Sequence, residues 1–249
     1  MISALAEAGA ALDNADWLSA ASDCARLLLS RRDDRGRLLR TDSIPGFLDD
    51  HAHLLEALLT LYEATFEPRW FAEARALADT LVEQFADDDG GGFFTTAIGH
   101  ELGFERRRDL DDSPLPSGSS SAAFGLLRLA RLTGDGGCEE RAVRALALVA
   151  PVAARYPHGF GHALQAIDFH LAPVREVAIA GDPDELARVV RRAYRPHVVL
   201  AGGPADGVEL LAGREPVAGR PAAYVCDRFT CRAPVTSPEA LAASLGIPS

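Results

Sequence analysis

Lysine is absent from this 249-residue chain, so arginine supplies all 25 basic residues against 36 acidic ones, for a formal net charge of −11. Proteins that bind nucleic acid without sequence preference need a cationic surface that displaces counterions from phosphates, so nucleic acid is not an expected partner. No apolar run approaches the ~20 residues of a membrane helix. The N-terminus shows no basic region typical of a signal peptide. We therefore expect a cytoplasmic protein with no membrane contact.

Cysteine is also scarce, and four residues are too few for a disulfide scaffold in a chain of this size. Cys24 and Cys138 fall singly within or beside helical patterns and are predicted to be small core residues. Cys226 and Cys231 are too far apart for a redox CxxC motif, and a zinc site would need two further ligands. We interpret them as a structural or loosely redox-linked pair, and we predict no metal and no cofactor.

What the sequence does contain is a repeat of helical hairpins. Short polar segments at 12–17, 65–70 and 133–138 each separate two helical patterns. The second helix of the middle repeat shows the helical period most plainly, because its apolar residues form one stripe. That stripe consists of Phe71, Ala74, Leu77, Ala78, Leu81, Val82 and Phe85.

The links between hairpins are longer than the turns within them, and cover residues 31–47 and 86–117, with a brief one near Pro157. An antiparallel array places all the short turns at one end and all the links at the other. Loops longer than ~12–15 residues in a compact domain usually carry function. We therefore predict a site at the rim that carries the long links.

A different pattern follows the hairpins, which we assign to residues 1–172, and we assign a small α/β unit to residues 173–249. Strands are predicted at 174–180 and 197–201 with a helix between them, which favours parallel pairing. A further short strand is predicted at 222–226, and a last helix after Ser237.

Several ordered segments together resemble a known family. They are IPGFLDDHA at 44–52, LYEA at 61–64, PRW at 68–70, DGGGFF at 89–94, the segment 112–120 ending in PSGSS, AYVC at 223–226, Cys231, and PV at 234–235. They resemble the C-terminal portion of YyaL-type thioredoxin-domain-containing proteins, the family of spermatogenesis-associated protein 20.

The resemblance implies a fold and a truncation. Members of that family carry an N-terminal thioredoxin-like domain, then an (α/α) barrel similar to six-hairpin glycosidases and N-acylglucosamine epimerases, and then a small C-terminal unit. We therefore expect a mainly α protein, a partial (α/α) barrel or toroid of helical hairpins followed by the α/β unit. The thioredoxin-like domain and the first barrel hairpins are expected to be missing.

Asp50 and Asp112 are the candidate acid and base. Asp50 starts the first helix of one hairpin, and Asp112 approaches the first helix of the next, both on the long-link rim. Glycoside chemistry requires two carboxyl groups across a cleft, one protonated and one ionised. The alternative is that acids at helix N-termini satisfy free N–H groups and complement the helix dipole.

Five further residues are candidates for substrate binding. His51 adjoins Asp50, and Phe93 and Phe94 follow a tight turn that could set an aromatic ring against a sugar face. Ser117 and Ser119 either cap the next helix or hold an anionic group with its exposed amides. The aspartates at 87–89 lack the spaced ligands and closing glutamate of an EF-hand loop, which disfavours calcium.

His158 and His162 lie four residues apart at the start of a helix, without the intervening glutamate of the metalloprotease pattern. Two functions stay open at this stage. One is carbohydrate-type ligand binding, or hydrolase- or epimerase-like activity, at the long-link rim. The other is a non-catalytic scaffold whose partner is a separately encoded N-terminal half or a second copy.

Overall fold

The predicted helical hairpins are confirmed in the computed structural model, which describes residues 1–33, 36–100, 105–112 and 114–246. Each predicted short turn joins two helices, and a shorter helix follows the third hairpin. The helices are α1 (Ile2–Ala11), α2 (Ala15–Ser30), α3 (Leu48–Thr65), α4 (Pro68–Phe85), α5 (Gly118–Thr133), α6 (Gly136–Arg155) and α7 (Gly161–Leu171).

Local chemistry explains where the hairpin turns fall. Asn14 caps α2 by accepting a hydrogen bond from the backbone N–H of Trp17 at 3.1 Å. Pro68 is the first residue of α4, where its missing N–H costs no helical hydrogen bond. Gly134 ends α5 at a φ of 75°, a left-handed conformation that glycine adopts without strain. These signals are local, so the sequence alone predicts the turns.

The helices form two rows. α1, α3, α5 and α7 contact one another in that order, while α2, α4 and α6 pack against their hairpin partners. α5 is buried along nearly its whole length, whereas α4 buries only the face that carries the predicted stripe. Among the described residues, no helix is both long and apolar enough to cross a bilayer. The cytoplasmic location stays a prediction.

A four-stranded sheet follows the helices, in the order β2-β1-β3-β4. The predicted parallel pair is confirmed between β1 and β2, and the other neighbours are antiparallel. Helix α8 joins β1 to β2, and Ser237 caps the last helix as predicted. The elements are β1 (Arg175–Ala180), α8 (Asp184–Arg191), β2 (Val198–Ala201), β3 (Ala222–Asp227), β4 (Thr230–Cys231) and α9 (Pro238–Ser244).

The sheet shares its core with the helices. Ala178, Val199 and Ala201 on one face belong to the same buried cluster as the helical hairpins. The hydroxyl of Tyr62 on α3 also donates a hydrogen bond to the carbonyl of Gly202, at 3.3 Å. A chain division between residues 172 and 173 stays a prediction, and residues 247–249 of the second unit lie outside the described part of the chain.

Candidate functional site

The N-termini of α3, α5 and α7 meet at one end of the array, and Asp112 joins the last two. Its carboxylate accepts hydrogen bonds from the N–H of Ser117 at 2.8 Å and from the hydroxyl of Ser120 at 2.6 Å, at the start of α5. It also accepts from the N–H groups of His162 and Ala163 at the start of α7, at 2.8 and 3.0 Å. Two helices are thus tied through one buried carboxylate.

This environment favours the capping alternative for Asp112. Burial acts to raise its pKa, but the hydrogen bonds from the backbone and from Ser120 outweigh burial and lower the pKa below its ordinary value. An acid catalyst needs the opposite shift, because it must hold its proton at the working pH. Asp112 is therefore suited to holding α5 and α7 together.

The α3 and α5 N-termini approach so closely that only glycine fits at position 118. A Cβ on Gly118 would lie 2.9 Å from the backbone nitrogen of Asp49 and from Leu48 Cγ. We expect Gly118→Ala to lower the free energy of unfolding by about 1–3 kcal/mol, although alanine is the better helix former. Gly136→Ala is the matched control, because a Cβ at the first residue of α6 meets nothing within 4 Å. Equal urea midpoints for the two variants would contradict the close approach.

A cavity of about 480 Å³ opens beside this convergence, between α1, α2, α3 and the links. Its volume lies within the range of ~300–1,000 Å³ of small-molecule sites. Apolar side chains, such as Leu54 and Leu115, line part of it. Helix α3 contributes three polar side chains to it. The polar lining residues are Ser3, Arg31, Arg40, Asp50, His53, Glu56, Ser121 and His162.

Glu56 and His162 form the polar centre of this cavity. Glu56 Oε1 lies 2.9 Å from His162 Nε2, and each side chain is 15% exposed. Burial acts to lower the pKa of His162, but the hydrogen bond and charge of Glu56 outweigh it, so the net pKa is raised. The His162 imidazole therefore stays protonated up to a higher pH than a free histidine does. Glu56 is not singled out in the sequence analysis. His162 is considered there only as a metal ligand, and that role is rejected.

Asp50 both caps a helix and lines the cavity. Its Oδ2 accepts a hydrogen bond from the N–H of Phe47 at 2.8 Å, which caps α3, and another from Arg40 Nε at 2.8 Å. Arg40 also pairs with Asp49. The Asp50 side chain stays 29% exposed and lines the cavity with Glu56. Asp112 is not among the lining residues, so the two candidate carboxylates do not face each other across this cavity.

The other predicted binding residues are placed elsewhere. His51 is buried with its Nδ1 2.8 Å from the carbonyl oxygen of Phe47, and it lines a separate cavity of about 360 Å³. Burial lowers the pKa of His51 despite that hydrogen bond. Phe93 is buried in the core, and Phe94 lies beneath Arg106, whose guanidinium carbon is 4.2 Å from the ring centroid. None of the three lines the Glu56–His162 cavity.

The two serines of α5 also differ from each other. Ser117 is the N-cap residue, and its hydroxyl accepts from the N–H of Ser120 at 3.1 Å. Ser119 is buried, and its Oγ has no hydrogen-bond partner among the described residues. His158 lies in the short turn 157–159, so it does not share the α7 face with His162.

Comparison with known proteins gives one group of relatives. Spermatogenesis-associated protein 20 of Homo sapiens is 30% identical over 266 residues, and the match covers 96% of this chain and 34% of the relative. The protein of the same name from Rattus norvegicus is 30% identical over 268 residues with the same coverage. No family model matches the chain.

These matches confirm the predicted relationship but give no specific activity. The chain spans about a third of the length of the curated relatives it matches. The match falls on the C-terminal part of the larger protein, as the ordered motifs predict. Over nearly its whole length, this chain is therefore similar to the C-terminal part of spermatogenesis-associated protein 20.

Proposed function

We propose that the cavity around Glu56 and His162 binds a small carbohydrate-type ligand. The observation that carries the proposal is the 2.9 Å Glu56–His162 contact inside a cavity of about 480 Å³. The cavity lies at the end of the array where the long links and helix N-termini converge. This is the rim at which the sequence predicts a site.

The lining suits a polyhydroxylated molecule. A carboxylate accepts hydrogen bonds from sugar hydroxyls, and an imidazolium donates to them. Ser121 adds a buried Oγ that has no hydrogen-bond partner among the described residues. Leu54 and Ala57 provide apolar surface for the carbon–hydrogen faces of a ring. A small number of polar groups that point into a mainly apolar cavity is typical of small-molecule sites.

The same pair supplies the acid–base groups of a hydrolase- or epimerase-like reaction. Glu56 and His162 lie within hydrogen-bonding distance of each other, and Asp50 provides a further carboxyl group in the same cavity. Asp112 takes the role of a positioning residue, because its Oδ2 holds the backbone N–H of His162. The resemblance to sugar-handling (α/α) barrels supports this proposal by analogy of fold.

The test is isothermal titration calorimetry with a panel of mono- and oligosaccharides. We expect Glu56→Gln and His162→Ala to weaken binding at least about tenfold, since the first removes the charge that faces His162 and the second leaves the Glu56 carboxylate without its partner. Glu140→Gln is the matched control, because Glu140 is exposed on α6. Equal heats for the wild type, Glu56→Gln and Glu140→Gln would refute the assignment of the cavity.

A non-catalytic scaffold is the second candidate, and exposed apolar residues on α2 favour it. Leu27 is 62% exposed and Leu28 is 37% exposed. Such a surface suits an N-terminal half of the same family or a second copy of this chain. Light scattering of the wild type and of Leu27→Glu tests it, and assembly that the substitution abolishes is expected. A monomer with cooperative unfolding would contradict this candidate.

A further inference from the structure

A disulfide closes the two-residue hairpin between β3 and β4. Cys226 and Cys231 are cross-strand register partners and are bonded to each other. Their surroundings are unequal, because Cys226 is 1% exposed whereas Cys231 is only half-buried. An external thiol can therefore reach the sulfur of Cys231 and not that of Cys226.

A guanidinium lies beside both sulfurs. Arg214 Nη2 is 3.0 Å from Cys231 Sγ and 3.7 Å from Cys226 Sγ. Its Nη1 donates to the carbonyl of Ala212 at 3.1 Å, which fixes the side chain in this position. A nearby arginine stabilises a thiolate, and thiolates are the attacking and leaving groups of disulfide exchange. Arg214 is thus placed to stabilise whichever sulfur carries the charge.

The tip of the hairpin is held by contacts as well as by the disulfide. Arg228 and Phe229 occupy the turn with φ values of 47° and 63°, which side-chain-bearing residues rarely adopt. The Phe229 N–H donates to Glu176 at 2.7 Å, and the Phe229 ring lies against Gly134 at the end of α5. The residues of this turn do not favour its conformation, so opening the disulfide would loosen it. The turn contacts the end of α5, so this contact would loosen too.

We propose that Cys226–Cys231 is a thiol–disulfide exchange site whose substrate is a dithiol, with Cys231 as the attacked sulfur and Arg214 as the group that stabilises the thiolates. One thiolate of the dithiol attacks Cys231 Sγ, the Cys226–Cys231 bond breaks, and its electron pair leaves on Cys226 Sγ. The second thiolate then attacks the dithiol's own sulfur in the mixed disulfide and releases Cys231 as a thiolate. The dithiol departs as an intramolecular disulfide, having given two electrons, and its two protons balance the two new thiols.

The experiment follows reduction of the folded chain by dithiothreitol, with alkylation and peptide mass mapping. In the wild type we expect reduction to free Cys231 for alkylation while the protein stays folded, at a rate that exceeds unfolding, and the buried Cys226 thiol to be alkylated only after the sample is denatured. Glutathione is expected to form its mixed disulfide at Cys231. Cys138 provides an internal reference, because burial raises the pKa of its thiol to about 12 and slows its alkylation.

Three variants separate the role of Arg214 from a general loss of structure. Arg214→Gln is expected to slow reduction about tenfold, and Arg214→Lys to retain most of the rate because it keeps the positive charge. Arg232→Gln, at an exposed arginine next to Cys231, should react like the wild type. Circular dichroism verifies that each variant is folded.

Four results would overturn the proposal. They are reduction only at the unfolding rate, glutathione attachment at Cys226, a folded Arg214→Gln variant that reacts like the wild type, and failure of oxidised glutathione to form the disulfide in a chain isolated as the dithiol. The proposal does not depend on a carbohydrate ligand, so the two tests fail or succeed separately.

Discussion

Asp112→Ala is expected to lower the free energy of unfolding by about 4 kcal/mol at neutral pH. The substitution leaves three backbone N–H groups and the Ser120 hydroxyl without their buried acceptor. Two of those N–H groups belong to α7, so the start of that helix loses its tie to α5. Urea unfolding followed by circular dichroism measures the loss.

The loss should also depend on pH with a defined sign. Because the folded pKa of Asp112 is lowered, its stabilisation is fully present above the ordinary carboxyl pKa of 3.8 and disappears as the pH falls through the folded value. The difference between wild type and Asp112→Ala should therefore shrink on acidification. Asp111→Ala is the control, because Asp111 is next to Asp112 in the chain and its side chain is exposed. A loss for Asp112→Ala no larger than for Asp111→Ala would show that the carboxylate is not the tie.

Arg128→Met is expected to lower the free energy of unfolding by about 3 kcal/mol. Arg128 Nη2 lies 3.3 Å from Glu63 Oε1, and its Nη1 donates to the Thr60 hydroxyl at 3.0 Å. Burial raises the pKa of Glu63, and Arg128 opposes that rise. Removal of the guanidinium leaves this carboxyl group without its main counter-charge.

A second substitution separates the pair from simple loss of packing. Glu63→Gln combined with Arg128→Met should recover much of the lost stability, because the uncompensated charge is gone. Arg141→Met removes a half-buried arginine paired with Asp88, whose side chain is 78% exposed, and should change the free energy of unfolding by less than about 1 kcal/mol. Urea midpoints for the three variants measure these differences. A double variant that is no more stable than Arg128→Met would contradict the buried pair.

The hairpins and strands could be predicted because their signals are local. Pro68 and Gly134 fall at positions where only a helix start or end suits them, and the stripe on α4 is complete within one helix. The convergence of the links at one rim follows from the alternation of short turns and long links. The role of Asp112 does not follow, because its partners His162 and Ala163 are about 50 residues further along the chain.

A signal for the missed residues was nevertheless present in α3. Asp50, His53, Glu56, Thr60 and Glu63 recur at intervals of three or four, so they form one polar stripe on a helix whose other faces are buried. A polar stripe on an interior helix must meet partners or a cavity, since buried polar groups are costly without them. Here it meets Arg40, His162 and Arg128 in turn.

The aromatic residues after the glycine turn indicate the position of the cavity less well than the polar stripe on α3 does. Phe93 bridges back to Ala86 at the end of α4, which draws its side chain into the core. His51 lies one position along the helix from Asp50, a rotation of ~100° that turns its side chain to a different cavity. Adjacent positions on a helix do not share a face, and this explains why Asp50 and His51 line different cavities.

The most direct measurement is the NMR signal of the His162 imidazole during titration with the tightest-binding saccharide of the panel. We expect this signal to shift in a saturable way while the signal of the exposed His158 stays unchanged, and we expect Glu56→Gln to remove the shift. A saccharide that binds without moving the His162 signal, or a panel in which nothing binds, would contradict the proposed site.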